Sequence, residues 1–148
     1  MAAATEAVSI AKGINPSTPM KFPLKSASVA YSNAWMGIIS YNHASDATLG
    51  GQIIPFTGTA GEIPIGRYMA VGNDVDYAIA RNDGSALGDG VTTYLVDITP
   101  RIISKIVIPG ATALTEASKP LYLADDQTYT LTKGAGILGT AEGFSMSL

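Results

Sequence analysis

Short apolar segments separated by glycine and aspartate corners run through this chain from residue 27 onward. Within them apolar side chains recur at every second position or fill both faces, and no run follows the 3.6-residue period of an amphipathic helix. Strands are therefore predicted over residues 28–40, 52–56, 66–71, 75–81, 91–98, 102–108, 120–123, 127–131 and 137–142. Many short strands between turns are typical of a small β-sandwich or barrel, so we expect an all-β fold.

Two local signals add detail to this prediction. Residues 82–90 contain Asn-Asp-Gly and Gly-Asp-Gly, which tolerate a left-handed backbone, and predict a hairpin loop. Pro55 stands near the end of the 52–56 segment. Because proline cannot donate a hydrogen bond to a central ladder, it predicts an edge strand or a bulge there.

The beginning of the chain has a different character. Pro16, Pro19 and Pro23 stand there with glycine, serine and threonine, a composition that neither continues a helix nor offers an alternating apolar face. We therefore predict an extended N-terminal arm over residues 1–26 and a β-domain over residues 27–148.

The composition is apolar for a chain of this size, since 47% of its 148 residues are hydrophobic and only 14% are charged. A soluble domain normally has about a quarter charged residues, so we expect apolar surface to be buried between copies. The absence of cysteine excludes disulfides and thiolate chemistry. No apolar run is long enough for a membrane helix and the first residues make a poor signal peptide, so we expect a protein made in a cytoplasm that does not act at a membrane.

The charge of the chain is unevenly distributed. The net charge is −3, which attracts no nucleic acid, but residues 1–25 carry +2 and the remainder −5. One interpretation is a mildly basic arm on an acidic body. The other is three lysines in an ordinary solvated tail.

The residues able to do chemistry do not form a convincing site. His43 is the only histidine and no Gly-x-Ser-x-Gly motif accompanies it, so we interpret it as a surface residue in a polar corner. Four aspartates lack the spacing of a calcium loop: Asp74 and Asp76, which flank the start of a predicted strand, and Asp83 and Asp89, which we interpret as turn residues. The glycines of residues 134–139 match a dinucleotide fingerprint in letters only, because the required helix does not follow. We predict no catalytic residue, no metal and no cofactor.

The strongest hairpin signal lies in residues 120–131. Leu121 and Leu123 alternate before the polar corner Ala-Asp-Asp-Gln, and Tyr129 and Leu131 alternate after it. The two aspartates of the corner are expected to be exposed at the hairpin tip, able to bind a cation weakly or to pair with a lysine of a neighbouring copy.

This hairpin, together with the arm and the segment AYSNAWMGI, resembles the head decoration, or capsid cement, proteins of tailed phages. In that family a hairpin with an Asp-Asp corner and a Thr-x-Thr return strand recurs near the carboxyl end, followed by an apolar residue and glycine. The match is best over residues 110–143, and the motif positions are Tyr122, Asp125, Asp126, Thr128, Thr130, Leu131, Ile137 and Gly139. The resemblance implies a non-enzymatic protein on the outer surface of the virion head, where it binds the major capsid protein and stabilises the shell.

From the resemblance we expect the arm to contact the capsid, with the partner-binding residues Lys12, Lys21, Phe22 and Lys25. The β-domain is expected to form symmetric homo-oligomers, with a trimer favoured over a dimer. Two other classes stay open. A tail-tube, baseplate or fibre domain would have the same β-rich, cysteine-free composition, and a small β-barrel ligand-binding or hydrolytic protein would have a deep polar pocket.

Overall fold

The computed structural model describes residues 19–69, 85–98, 108–109, 119–133 and 143–144, and in these residues the fold is all-β, as predicted. The strands are β1 (Pro19–Pro23), β2 (Val29–Ala30), β3 (Trp35–Ile39), β4 (Ile53–Pro55), β5 (Glu62–Tyr68), β6 (Ala86–Leu87), β7 (Thr93–Asp97), β8 (Pro120–Leu123), β9 (Tyr129–Thr130) and β10 (Gly143–Phe144). A 3₁₀ turn at Ala47–Leu49 separates β3 from β4. None of the described residues belongs to a helix with the length and apolarity needed to cross a membrane.

Five strands form an antiparallel sheet in the order β1-β7-β5-β3-β4. At one edge β1 pairs along its whole length with β7, from Pro19 opposite Asp97 to Pro23 opposite Thr93. At the other edge lies β4, which confirms the edge strand predicted from Pro55. The sheet is therefore assembled from segments that are far apart in the sequence.

The residues that follow β1 bring the two edges of this sheet together. Leu24 forms a parallel bridge with Ile53 of β4, and the Lys25 N–H donates to the Ile53 carbonyl at 3.0 Å. On the opposite side the Leu24 N–H donates to the Thr92 carbonyl at 3.3 Å. The chain that leaves the β1 edge thus also covers the β4 edge, and the sheet curls towards a barrel.

Gly88 lies where the loop between β6 and β7 crosses Leu24 and Lys25. A Cβ at Gly88 would overlap the carbonyl oxygens of Leu24 and Lys25, so only glycine allows so close an approach. Just beside this crossing β2 and β6 form a two-stranded sheet, with Val29 opposite Leu87.

Strand β1 corrects the predicted boundary of the N-terminal arm. The arm was expected to include residues 1–26, but its last part is a strand of the sheet. Successive residues of a strand direct their N–H groups to opposite sides, and the Leu24 N–H points towards β7 while that of Lys25 points towards β4. By the same alternation the nitrogens of Pro19 and Pro23 face away from β7, so the prolines remove no ladder bond and suit an edge strand. The rest of the predicted arm lies outside the described residues.

Two hydrophobic cores lie on opposite faces of the five-stranded sheet. The first contains Leu24, Ala30, Met36, Ile53, Tyr68, Ala86, Tyr94 and Val96. The second contains Phe56, Leu121, Leu123 and Tyr129, with Trp35 packed against it. Trp35 and Met36 are neighbours on β3 and reach different cores, because side chains alternate along a strand.

A pair of tyrosines marks the centre of the first core. The rings of Tyr68 and Tyr94 meet edge to face, with centroids 6.2 Å apart and planes at 66°. Burial, with a smaller contribution from Tyr94, raises the pKa of Tyr68 to about 12. The Tyr94 hydroxyl donates to the Leu87 carbonyl at 3.2 Å, which links the core to β6.

The predicted hairpin is present as β8 and β9, which form a three-stranded sheet with β10. In its turn Asp125 Oδ1 accepts the N–H groups of Gln127 and Thr128 at 3.0 and 2.7 Å. The expectation that both aspartates are exposed is wrong, since Asp125 and Asp126 are only 5% and 1% exposed. The tip does not project into solvent, because the Asp126 carbonyl accepts the N–H of Trp35 at 2.8 Å and holds it against β3.

The other predicted strands agree with the structure in part. The strand over residues 28–40 is divided into β2 and β3, and Asn33 lies between them with a φ of 66°. The loop predicted over residues 82–90 includes β6, while β8 has the predicted bounds. Predicted strands that lie outside the described residues are 75–81, 137–142 and most of 102–108.

Candidate functional site: the turn network of Lys25, His43 and Glu62

Two of the side chains predicted to contact a partner, Lys21 and Phe22, do not share a surface. Lys21 and Phe22 are neighbours on β1 and face opposite sides of the sheet. Lys21 is exposed, opposite Leu95 in the register, whereas Phe22 packs against the first core and takes part in the fold itself. Lys12 lies outside the described residues. The remaining predicted contact, Lys25, belongs to a polar network.

Lys25 is held at the point where the two sheet edges meet. Its Nζ donates to Asp46 Oδ2 at 2.8 Å, and the two side chains have relative exposures of 29% and 21%. The hydrogen bond from Lys25 lowers the pKa of the Asp46 carboxyl below its usual value, and the charge of Lys25 acts in the same direction. Lys25 and Asp46 therefore form the part of the network that reaches solvent.

His43 lies behind this ion pair and organises the turn that carries Asp46. The backbone N–H groups of Ser45 and Asp46 donate to His43 Nδ1 at 3.2 and 3.0 Å. His43 is only 6% exposed, so the prediction of a surface histidine is wrong. Gly61 accounts for the burial, because its backbone lies so close to that of His43 that a Cβ at Gly61 would overlap it.

Glu62, the first residue of β5, is a buried carboxylate with hydrogen bonds to both oxygens. Oε2 accepts the N–H groups of Thr57 and Gly58 at 2.7 and 3.1 Å, and Oε1 accepts the Thr57 hydroxyl at 2.6 Å. His43 Nε2 faces Oε1 at 3.5 Å. A buried carboxylate is costly unless it is hydrogen-bonded in this way, so Glu62 ties the loop after β4 to the sheet.

The network contains the residue types of a serine-histidine-carboxylate triad but not its geometry. Ser45 Oγ lies 3.5 Å from His43 Nδ1, and His43 Nε2 faces Glu62. A triad needs an imidazole lone pair that can take the hydroxyl proton. Here that lone pair receives two backbone N–H groups, and the Ser45 hydroxyl donates to Asp46 Oδ2 at 3.2 Å. The arrangement is therefore suited to holding a turn.

Nor do the described residues bring together three or more His, Cys, Asp or Glu side chains that could hold a metal ion. Both oxygens of Glu62 already accept hydrogen bonds from the protein.

Sequence reasoning did not identify Asp46 or Glu62. Asp46 has a local signal, because it follows His43 by three residues in a polar corner, within reach of a turn contact. Glu62 has none, since it meets His43 only through the pairing of β3 with β5, in which Ile39 lies opposite Glu62.

Comparisons of the chain with protein-family models, with curated proteins and with solved structures found no match.

Proposed function

We propose that this chain is a head decoration protein of a tailed phage. It binds the major capsid protein on the outer surface of the assembled head and stabilises the shell without catalysing a reaction. The observation that carries the proposal is the β8–β9 hairpin, which contains the motif residues between Tyr122 and Thr130. Tyr122 of the motif pairs with Thr130, and Asp125 closes the turn between them.

Two polar residues of this hairpin are tied to the protein backbone. The Asp125 carboxylate accepts two backbone N–H groups, and the Asp126 carbonyl accepts the N–H of Trp35. A hairpin with these ties is a rigid element docked on the main sheet. This supports a protein that acts through the shape of its surface, because rigid elements lose little conformational freedom on binding.

The basic residues near the start of the chain provide the proposed contact with the capsid. Lys21 is exposed on β1, and Lys25 reaches solvent beside Asp46. Lysines at the rim of an interface attract an acidic surface and set the orientation of docking. A decoration protein binds the same site many times on one lattice, and binding to the assembled shell alone stabilises it by mass action. The homo-oligomer, with a trimer favoured, increases this effect through multivalency.

Cosedimentation with phage heads stripped of accessory proteins tests the proposal. We expect saturable binding and heads that resist heat to a higher temperature once the protein is bound. Cryo-electron microscopy of virions should then show density for this chain on the outside of the head. An absence of binding, or density on the tail instead, would reject the proposal.

Two variants test the proposed contact. Deleting residues 2–18 leaves β1 intact, and we expect weaker binding because the rest of the arm is lost. Lys21→Glu should weaken binding by about tenfold if Lys21 faces an acidic partner. Lys133→Glu is the matched control, since Lys133 is exposed beyond β9 and the substitution changes the net charge equally. Equal losses in the two lysine variants would argue against a contact at β1, and unchanged binding of the truncated chain would refute the role of the arm.

A further inference from the structure

Three turns in the described part of the chain are held in the same way, by a side-chain acceptor that receives the N–H groups two and three residues further on. They begin at His43, Asp89 and Asp125. At Asp89, Oδ1 accepts the N–H groups of Val91 and Thr92 at 2.8 and 2.7 Å. Aspartate is the usual acceptor in such turns. His43 therefore stands where the other two turns have a carboxylate.

An imidazole can hold this turn in only one protonation state. Because Nδ1 accepts the N–H groups of Ser45 and Asp46, the ring proton is on Nε2, which faces Glu62. A second proton on Nδ1 would point at two N–H donors and end both hydrogen bonds. Imidazole is the side chain that ordinarily changes charge between about pH 5 and 8, whereas a carboxylate remains an acceptor throughout that range.

Charged groups from three segments of the chain surround this ring. Glu62 approaches Nε2 from the start of β5, and Asp46 Oδ2 lies 3.8 Å from Nδ1 within the turn itself. Lys25, from the segment after β1, holds the same oxygen of Asp46 at 2.8 Å. A protonated Nδ1 would need a hydrogen-bond acceptor in place of the two N–H groups of Ser45 and Asp46 that it faces now. Asp46 Oδ2 can take that place once the turn rotates and Lys25 releases it.

We propose that His43 is a pH-sensitive latch on the turn of residues 43–46. Protonation of the ring ends its two backbone hydrogen bonds, transfers Asp46 from Lys25 to the imidazolium, and releases the Lys25 ammonium to solvent. The proton comes from the solvent and no covalent bond changes. The latch does not depend on the decoration function. It makes a basic group at the meeting point of the sheet edges available to an acidic partner at lower pH.

Nuclear magnetic resonance of the full-length protein tests the latch. The ¹⁵N shifts of the His43 ring report its tautomer and its protonation between about pH 8 and 5.5. We expect the proton on Nε2 at the upper end of this range. As the ring becomes charged, the amide signals of Ser45 and Asp46 and the side-chain signals of Lys25 should shift with the same midpoint. Amide protection factors in the turn should fall by about tenfold, because two hydrogen bonds are lost.

His43→Asn is the matched variant. An asparagine amide oxygen can accept the same two N–H groups and does not titrate in this range. We expect the turn to form and the signals of Ser45, Asp46 and Lys25 to be independent of pH. The turn beginning at Asp125 serves as an internal control, because its acceptor is a carboxylate and its amide signals should not follow the histidine midpoint.

Several results would overturn the latch. A neutral ring with its proton on Nδ1 removes the switch, and so does a ring that stays neutral over the whole range. The same is true if the ring titrates while the amide signals of Ser45 and Asp46 remain unchanged. These tests use the wild-type chain, so they remain decisive even if His43→Asn fails to fold. A folded variant with an unchanged pH response at Lys25 would assign the response to another group and reject the latch.

Discussion

The five-stranded sheet and the β8–β9 hairpin are assembled in contrasting ways. The hairpin joins strands that are one short turn apart, and its turn is closed by its own Asp125. The sheet instead pairs β1 with β7 from distant parts of the chain, and buried polar side chains such as Glu62 tie its loops together. A local element can form its turn alone but needs an anchor to be placed, whereas a sheet of distant strands gains stability from the ties between its loops.

Trp35 is the anchor at which the two regions meet. Its backbone N–H donates to the Asp126 carbonyl at 2.8 Å, and its Nε1–H donates to the Tyr129 hydroxyl at 2.8 Å. The guanidinium of Arg67 lies 4.5 Å from the centre of its ring. Packing, one backbone and one side-chain hydrogen bond, and a cation–π contact therefore converge on one residue.

Replacing this anchor should produce the largest effect. Trp35→Ala removes the packing in the second core and the bond to Tyr129, and we expect the free energy of unfolding to fall by about 3–4 kcal/mol. Urea denaturation measures this free energy. Circular dichroism is the signal to follow, because Trp35 is the only tryptophan and its fluorescence is lost in the variant. Trp35→Phe keeps an aromatic ring and should cost less. A loss below about 1 kcal/mol for the alanine variant would show that the hairpin is anchored elsewhere.

Weakening an internal tie of the main sheet should have the next largest effect. Glu62→Gln places an amide nitrogen beside N–H and O–H donors, and we expect a loss of about 2 kcal/mol in urea denaturation. Hydrogen exchange should show the loop at Thr57 and Gly58 losing protection while the β8–β9 hairpin keeps its own. Thr57→Val removes only the hydroxyl donor and should cost about 1 kcal/mol. If the loop and the hairpin lose protection equally, the main sheet and the β8–β9 hairpin are not stabilised separately, and the contrast between them is wrong.

The hydrogen bond at the anchor can be separated from its packing. Tyr129→Phe leaves the indole N–H of Trp35 without its acceptor, and we expect a loss of about 1 kcal/mol in the same denaturation assay. Tyr41→Phe is the control, because Tyr41 is 86% exposed and its hydroxyl is solvated. If the two variants are equally stable, the Trp35–Tyr129 hydrogen bond does not help to hold the hairpin on the sheet.

The smallest effect is expected at the exposed turn of Asp89. The Thr92 hydroxyl, followed by the N–H groups of Val91 and Thr92, lowers the pKa of the Asp89 carboxyl from 3.8 to about 2. Because the folded-state pKa is the lower one, the carboxylate stabilises the fold above about pH 4 and loses this contribution as the pH falls towards 2.

Thermal unfolding between about pH 5 and pH 2 checks the Asp89 prediction against Asp89→Asn. The amide of the variant remains an acceptor but does not titrate, so the difference in melting temperature between the two proteins should shrink as the pH falls. A difference that is constant across this range would mean that the charge of Asp89 does not contribute.

The contrast between the two regions also explains which features could be predicted from the sequence. The alternation around Asp125 and Asp126 is local, and β8 has its predicted bounds. Strand β1 was missed because its prolines indicate a break, and only the distant partner β7 makes the segment a strand. The fold class was therefore accessible, while the arm boundary depended on tertiary pairing.

The candidate site shows the same limit. A polar corner predicts that His43 is exposed, but Gly61 and Glu62 cover it through the pairing of β3 with β5. No feature within the corner itself signals this cover. Asp125 and Asp126 are buried for a related reason, because docking at Trp35 turns a hairpin tip into an internal contact.

The prolines of β1 also affect how copies of this protein can meet. Three residues of the strand direct their backbone nitrogens away from β7, namely Pro19, Lys21 and Pro23, and only Lys21 has a hydrogen to donate. A second chain arriving at this edge cannot extend a continuous ladder. Because the ladder would be interrupted at two of three donors, this edge resists growth by strand addition, and association along it would rely more on side chains than on the backbone.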